Sequence, residues 1–152
     1  MSSRLIRTEF AYSGIKQHLE EASGGGAIAS YLVQYLVISL YAEMEEHVAQ
    51  IIKDRLHFNG DKKLERFVFT TNEGMIKRVK KSDIAEVLQK FGMEKEEILG
   101  DVTEADVGYY STAIAHRHNV AHKQGAPITI SQFENALDAA EKILASLEKC
   151  IR

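Results

Sequence analysis

Residues 116 to 125 read HRHNVAHKQG, so His116, Arg117, His118 and His122 fall within seven positions, followed by Lys123 and Gly125. Three chemistries fit such a cluster. His118 and His122 have the i, i+4 spacing that can chelate a divalent ion, with a third ligand from Glu43, Glu45 or His47. An arginine lodged between the ligands opposes a cation, and no HExxH pattern accompanies the pair, so the expectation is no metal and no cofactor. A second chemistry is plain helix electrostatics, since Arg117, His118, His122 and Lys123 suit the negative end of a helix dipole. The third is phosphate chemistry. Arginine presents a planar fork that grips phosphate oxygens, and histidine exchanges a proton near neutral pH. Cleavage of RNA by its own 2′-hydroxyl needs a base, an acid and a cation at the phosphorane, and it needs no metal.

Spacing places these groups on a helix. Val107, Tyr110, Ser111, Ile114, His118 and Ala121 step by threes and fours and share a stripe, which puts His118 on or beside the core side. Arg117 and His122 are five apart, about 140° around an ideal helix. They can meet only if the helix ends near Asn119 or if a second copy of the chain brings its own pair.

The elements that must hold the cluster read as helices. Ser3 to Ala22 forms a first one, with Leu5, Ile6, Phe10, Ile15 and Leu19 toward one side. Gly24, Gly25 and Gly26 break it. Ala27 to about His57 reads as one helix roughly 45 Å long at 1.5 Å per residue, ended by Phe58-Asn59-Gly60-Asp61. Its run Tyr31 to Tyr41 is apolar nearly all round and reads as core, too short for the about 20 residues a bilayer needs. Residues 61 to 81 offer either a hairpin, from the strand-like RFVFTT and a turn at Asn72-Glu73-Gly74, or an irregular excursion. Ser82 looks like the N-cap of a short helix from Asp83 to Phe91, closed by Gly92. A further short piece spans Glu94 to Leu99. Thr103-Glu104-Ala105-Asp106 resembles a capping box that opens the motif-bearing helix, and Gly125-Ala126-Pro127 breaks the chain after it. The last helix, capped by Thr129 or Ser131, carries Phe133, Leu137, Ala140, Leu144, Leu147 and Ile151 as one apolar seam. The fold class expected is all-α: an up-and-down four-helix bundle, residues 1–152 as a single domain, with a short helical or hairpin excursion between the second and third main helices.

Bulk properties narrow the function classes. At 152 residues, 45 % apolar and 27 % charged, the chain reads as one globular domain. A net charge of −3 excludes a uniformly basic nucleic-acid binder, so any such contact is local. The segment Gly60 to Lys81 is locally basic through Lys62, Lys63, Arg66, Lys77, Arg78, Lys80 and Lys81, which a solvated loop explains as well as a binding surface does. One cysteine, Cys150, excludes an intrachain disulfide. Arg4, Arg7 and Glu9 interrupt the first ten residues, so no signal peptide is read, and the protein is expected in the cytoplasm with no membrane association.

Arg117-His118-Asn119-Val120-Ala121-His122 resembles the signature of the HEPN superfamily: an arginine, a polar residue, then a histidine after four to six intervening residues. The helical order matches that family, and YAEMEEHV, Tyr41 to Val48, is similar to the acid-bearing second helix of its RiboL-PSP branch. The resemblance covers essentially the whole chain. It implies a small metal-independent endoribonuclease that leaves 2′,3′-cyclic phosphate ends, a toxin or phage-defence effector. Arg117 would stabilise the transition state and His122 would move the proton. His118, Asn119 and Glu45 would support them, and Lys123 and Tyr109 would contact RNA. It also implies a homodimer with the site at the interface, and an antitoxin or sensor protein as partner. Two departures stand out: His118 occupies a slot more usually asparagine, and Gln124 stands where some toxins carry a modifiable tyrosine. The alternative is a helical module of the same architecture that binds RNA, a nucleotide or a protein without cutting. Bland readings stand beside these. Glu43, Glu45 and Glu46 fit a solvated face, and Tyr110 fits core packing.

Overall fold

The computed structural model describes residues 3–21, 26–57, 60–94, 98–122 and 128–151, with only the backbone path for 118–122. Among the described residues there are six helices and no strand: α1 (Ile6–Glu21), α2 (Gly26–His57), α3 (Lys62–Ile76), α4 (Lys81–Lys90), α5 (Glu104–His122) and α6 (Ile130–Ile151). The four long helices α1, α2, α5 and α6 form the bundle, and α3 with α4 is the excursion.

α6 and α2 are the core. The seam expected on α6 is buried throughout, and Ala136, Ala139, Ile143 and Ser146 widen it. α2 answers with Val33, Leu36, Val37, Leu40, Met44, Val48 and Ile52. Side-chain pairs give the directions of the helices. Lys142 reaches Asp106 at 2.7 Å and Lys149 reaches Asp101, just before α5, at 2.6 Å, which sets α5 antiparallel to α6. Arg4 meets Glu148 while Lys16 meets Glu134, which sets α1 antiparallel to α6. Both caps of these helices are reciprocal. Asp106 N donates to Thr103 Oγ1 at 3.1 Å and Thr103 N to Asp106 Oδ2 at 3.2 Å. Thr129, not Ser131, caps α6 through Gln132 in the same fashion.

Several expectations are corrected. Residues 61 to 81 form neither a hairpin nor an irregular loop. Asp61 caps α3 by accepting from Lys63 N and Leu64 N at 2.9 and 3.1 Å. Asn72, read as a turn residue, lies inside the helix and donates to Val68 O at 2.8 Å. Of the strand-like run, Val68 and Phe69 turn toward the core, Val68 near Ile52, Val87 and Ile76, while Phe67 is exposed; packing of one helical face overrides local strand preference. Ser82 is not the cap of α4. Lys80 holds that position with extended backbone and no side-chain cap, and Ser82 sits in the first turn. Gly92 does take the left-handed φ of +87° that closes α4. Residues 95–97 of the expected piece from Glu94 to Leu99, and the break at Gly125-Ala126-Pro127, lie outside the described residues.

α1 is rotated from its apolar pattern. Ile6 and Phe10 are 62 % and 82 % exposed, whereas Leu5 and Thr8 are fully buried and Tyr12 and Ile15 are partly so. Two carboxylates set this rotation. Glu43 Oε2 accepts from Thr8 N at 2.8 Å and its Oε1 from Arg7 N at 3.1 Å. Glu141 Oε1 accepts from Arg4 N and Leu5 N at 2.7 and 2.8 Å. Charged acceptors on helix-start amides outweigh the burial of one aromatic ring. Glu43 is therefore no part of a solvated face. It is buried, while Glu46 is exposed and pairs with Arg7.

α2 is longer than its apolar run, and by length and composition alone it could cross a membrane; about a third of that apolar window is buried in the bundle. The buried third is the stripe that meets α1, α5 and α6. The opposite stripe, Ile28, Tyr31, Tyr35 and Ile38 at steps of three and four, faces outward.

Candidate functional site

α5 places Arg117 at the end of its buried stripe. That stripe is Asp106, Tyr110, Ala113 and Ile114, rotated slightly from the expected set, since Val107 is half-buried and Ser111 exposed. One more turn along this face is Arg117. Its guanidinium lies 3.7 Å from the centroid of the Tyr41 ring on α2. The ring's negative face attracts the cation, and the contact removes rotamer freedom from a long side chain. Arg117 remains exposed on its other side.

Tyr41 is shared between two charges. Burial and the nearby Glu45 carboxylate, one turn along α2, push the Tyr41 phenol up, and Arg117 pulls it back down. Glu45 is half-buried and also lies within electrostatic reach of Tyr110 and Lys77. The acid expected to support Arg117 is thus joined to it through the tyrosine.

Beside this assembly opens a cleft of about 630 Å3, lined by Tyr41, Tyr110, Ser111, Ile114, Ala115 and Arg117, with Lys80, Lys81 and Ser82 on the facing wall. That wall is the junction between α3 and α4. Tyr110 fastens it: its buried hydroxyl donates to Val79 O at 2.6 Å, and burial pushes its phenol far up. The volume falls in the usual range of about 300–1,000 Å3 for ligand sites. Among the described residues that line it, the charged ones are Lys80, Lys81 and Arg117, all cations, which suits an anion.

The expected site residues separate into groups. Arg117 and Glu45 come together around Tyr41. Tyr109 does not join them. It lines a second groove of about 400 Å3 with Gly108, Thr112, Ile128 and Gln132. The side chains of His118, Asn119 and His122, and the whole of Lys123, lie outside the described residues. The backbone of α5 continues to His122, which removes the option of a helix ending near Asn119. Positions 117 and 122 are then about 140° apart on one helix.

Of the candidate third metal ligands, Glu43 is spent on the start of α1, with His47 Nε2 at 4.0 Å. Among the described residues no three His, Cys, Asp or Glu are grouped to hold a metal ion. Sequence reasoning missed Tyr41 and the Lys80–Lys81–Ser82 wall. The Tyr41/Glu45 spacing of four was a readable signal, but that the basic segment would reach α5 was not.

A family model, RiboL-PSP-HEPN, matches residues 3–152. The chain belongs to the RiboL-PSP-HEPN family. The match spans nearly the whole chain. No curated protein and no solved structure matches it. Of the expected motif residues, Arg117 has a described side chain, and it is docked on Tyr41 at the cleft.

Proposed function

We propose that this HEPN protein is a metal-independent endoribonuclease. The observation that carries the reading is the Arg117 guanidinium, held against the Tyr41 ring at the edge of a cleft whose charged lining, among the described residues, is Lys80, Lys81 and Arg117 itself. In the reaction, the 2′-oxygen of a ribose attacks the adjacent phosphorus. The bond to the 5′-oxygen breaks, leaving a 2′,3′-cyclic phosphate and a 5′-hydroxyl. A base takes the 2′-proton, and an acid gives one to the 5′-oxygen. Arg117 stabilises the charge that accumulates on the phosphorane oxygens, where a preorganised cation acts most strongly. His122 moves a proton. His118 and Asn119 orient the motif, Glu45 supports Arg117 through Tyr41, and Lys123 binds the RNA strand. Tyr109, on its separate groove, would meet RNA only outside the cleft.

One His122 per chain supplies one proton-transfer group, and the reaction wants two. A two-fold dimer brings the second. The outward apolar stripe Ile28, Tyr31, Tyr35 and Ile38 is the face for that second copy, because it ends one turn from Tyr41 and so brings the two Arg117 clefts together. In a cytoplasmic toxin or defence effector, an antitoxin or sensor would then act by covering the cleft or parting the dimer.

The test is incubation with total RNA in excess EDTA, beside Arg117→Ala and His122→Ala. Cleavage by wild type alone, with cyclic phosphate ends, is expected. Three folded, inactive proteins that still bind RNA would replace the nuclease by a binding module. Cleavage abolished by EDTA would restore the histidine metal site. Light scattering on Tyr35→Glu/Ile38→Glu should show monomers where wild type is dimeric.

A further inference from the structure

We infer that Lys80 and Lys81 form a second phosphate subsite, which holds the RNA backbone beside the phosphate that Arg117 grips; this rests on the RNA reading above. The two lysines come from the α3–α4 junction and share one cleft with Arg117 from α5. Both are exposed. Neighbouring lysines are committed elsewhere: Lys77 to Glu73 at 2.6 Å and Lys90 to Glu86 at 3.1 Å. Lys80 and Lys81 have no carboxylate partner among the described residues. Their junction is also anchored, because Val79 between α3 and Lys80 is fully buried and its carbonyl accepts from Tyr110. Free ammonium groups on a fixed backbone suit a charge carried by the ligand.

The same cleft says which part of the RNA this wall reads. Its two aromatic rings are already engaged, Tyr41 beneath Arg117 and Tyr110 in the core. Its rings therefore offer no free face for base stacking. Phosphate contacts position a strand without reading its sequence. The α3–α4 excursion then acts as an arm that fixes the strand's register, largely independent of base identity.

The experiment measures binding, not turnover. A short fluorescein-labelled single-stranded RNA with 2′-O-methyl riboses, which cannot attack its own phosphate, is titrated by anisotropy across about 50 to 200 mM salt. Wild type is compared with Lys80→Gln/Lys81→Gln and with the control Lys62→Gln/Lys63→Gln, which removes the same charge from the exposed start of α3. Circular dichroism checks each fold. The expected result is roughly a tenfold loss of affinity for the first pair at low salt, with a salt slope smaller by about 1.4, or 0.7 per lost phosphate contact. The control should stay within about twofold of wild type. Two base compositions should give the same loss. Equal losses for both pairs, or no loss for the first pair while wild type binds, would overturn the subsite and leave the RNA reading standing. No binding by wild type at any salt would remove both.

Discussion

Glu43 offers the sharpest quantitative test of how this fold is held. Its carboxylate is buried on α2 and accepts the amides of Arg7 and Thr8, the second and third residues of α1. Glu43→Ala leaves the Thr8 amide without a partner in a fully buried position, where water cannot replace the carboxylate. That loss is worth about 1–3 kcal/mol, and hydrogen bonds to charged groups lie at the upper end. The Arg7 amide is nearer solvent and adds less. Loss of the buried methylene adds about 1 kcal/mol. The sum is about 3 kcal/mol, or roughly 10 °C in Tm for a domain of this size. Glu43→Gln keeps one acceptor oxygen and should cost about half as much.

The charge makes a separate prediction. Burial alone would raise the Glu43 carboxyl, but Thr8 and Arg7 over-compensate and hold it below its ordinary value of 4.5. A group depressed in the folded state contributes stability that is fully present above its unfolded pKa. The contribution is lost as pH falls through the folded pKa. The gap between wild type and Glu43→Gln should therefore be constant near neutrality and shrink below about pH 4.5. Urea melts at pH 7 and at successive acid pH values read both effects. A Glu43→Ala variant within about 0.5 kcal/mol of wild type would refute the capping argument. A gap that stays constant into acid would refute the role of the charge.

Two further expectations concern the site. Tyr110→Phe removes the buried bond to Val79 O and strands that carbonyl, which should cost about 1–3 kcal/mol in a urea melt. It should also speed amide hydrogen exchange around Val79 more than at the far end of α6. Tyr41→Phe keeps the ring beneath Arg117 but loses the hydroxyl that links it to Glu45, so it should retain more RNA cleavage than Tyr41→Leu. Tyr41→Leu removes the face that seats the guanidinium, a contact worth about 1–2 kcal/mol, so kcat should fall roughly tenfold with KM changed less; equal behaviour of the two variants would mean that the ring does not position Arg117.

The parts legible in the sequence were those whose signals are local. Phe133 to Ile151 alternates three and four with no competing pattern, so α6 had one face to bury. Thr103 with Asp106, and the Thr129 option with Gln132, are caps closed within four residues. The tyrosine and acid one turn apart on α2 are a local signal of the same kind. What tertiary structure decided came from partners far along the chain. α1 turned Phe10 outward because Glu43 and Glu141, more than thirty residues away, bind its first amides. RFVFTT became helix, with Val68 and Phe69 as its inward face, because α2 and α4 offered that face an apolar surface. Glu43 and Glu45 stand two residues apart in one acidic stretch, yet opposite sides of α2 give one to the helix start and the other to Tyr41. Two lysines in an ambiguous basic segment came to face Arg117 only because Val79 is buried under Tyr110. Local spacing tells which face of a helix is apolar; which neighbour covers it, and which charges then meet, depends on contacts that no short window of sequence contains.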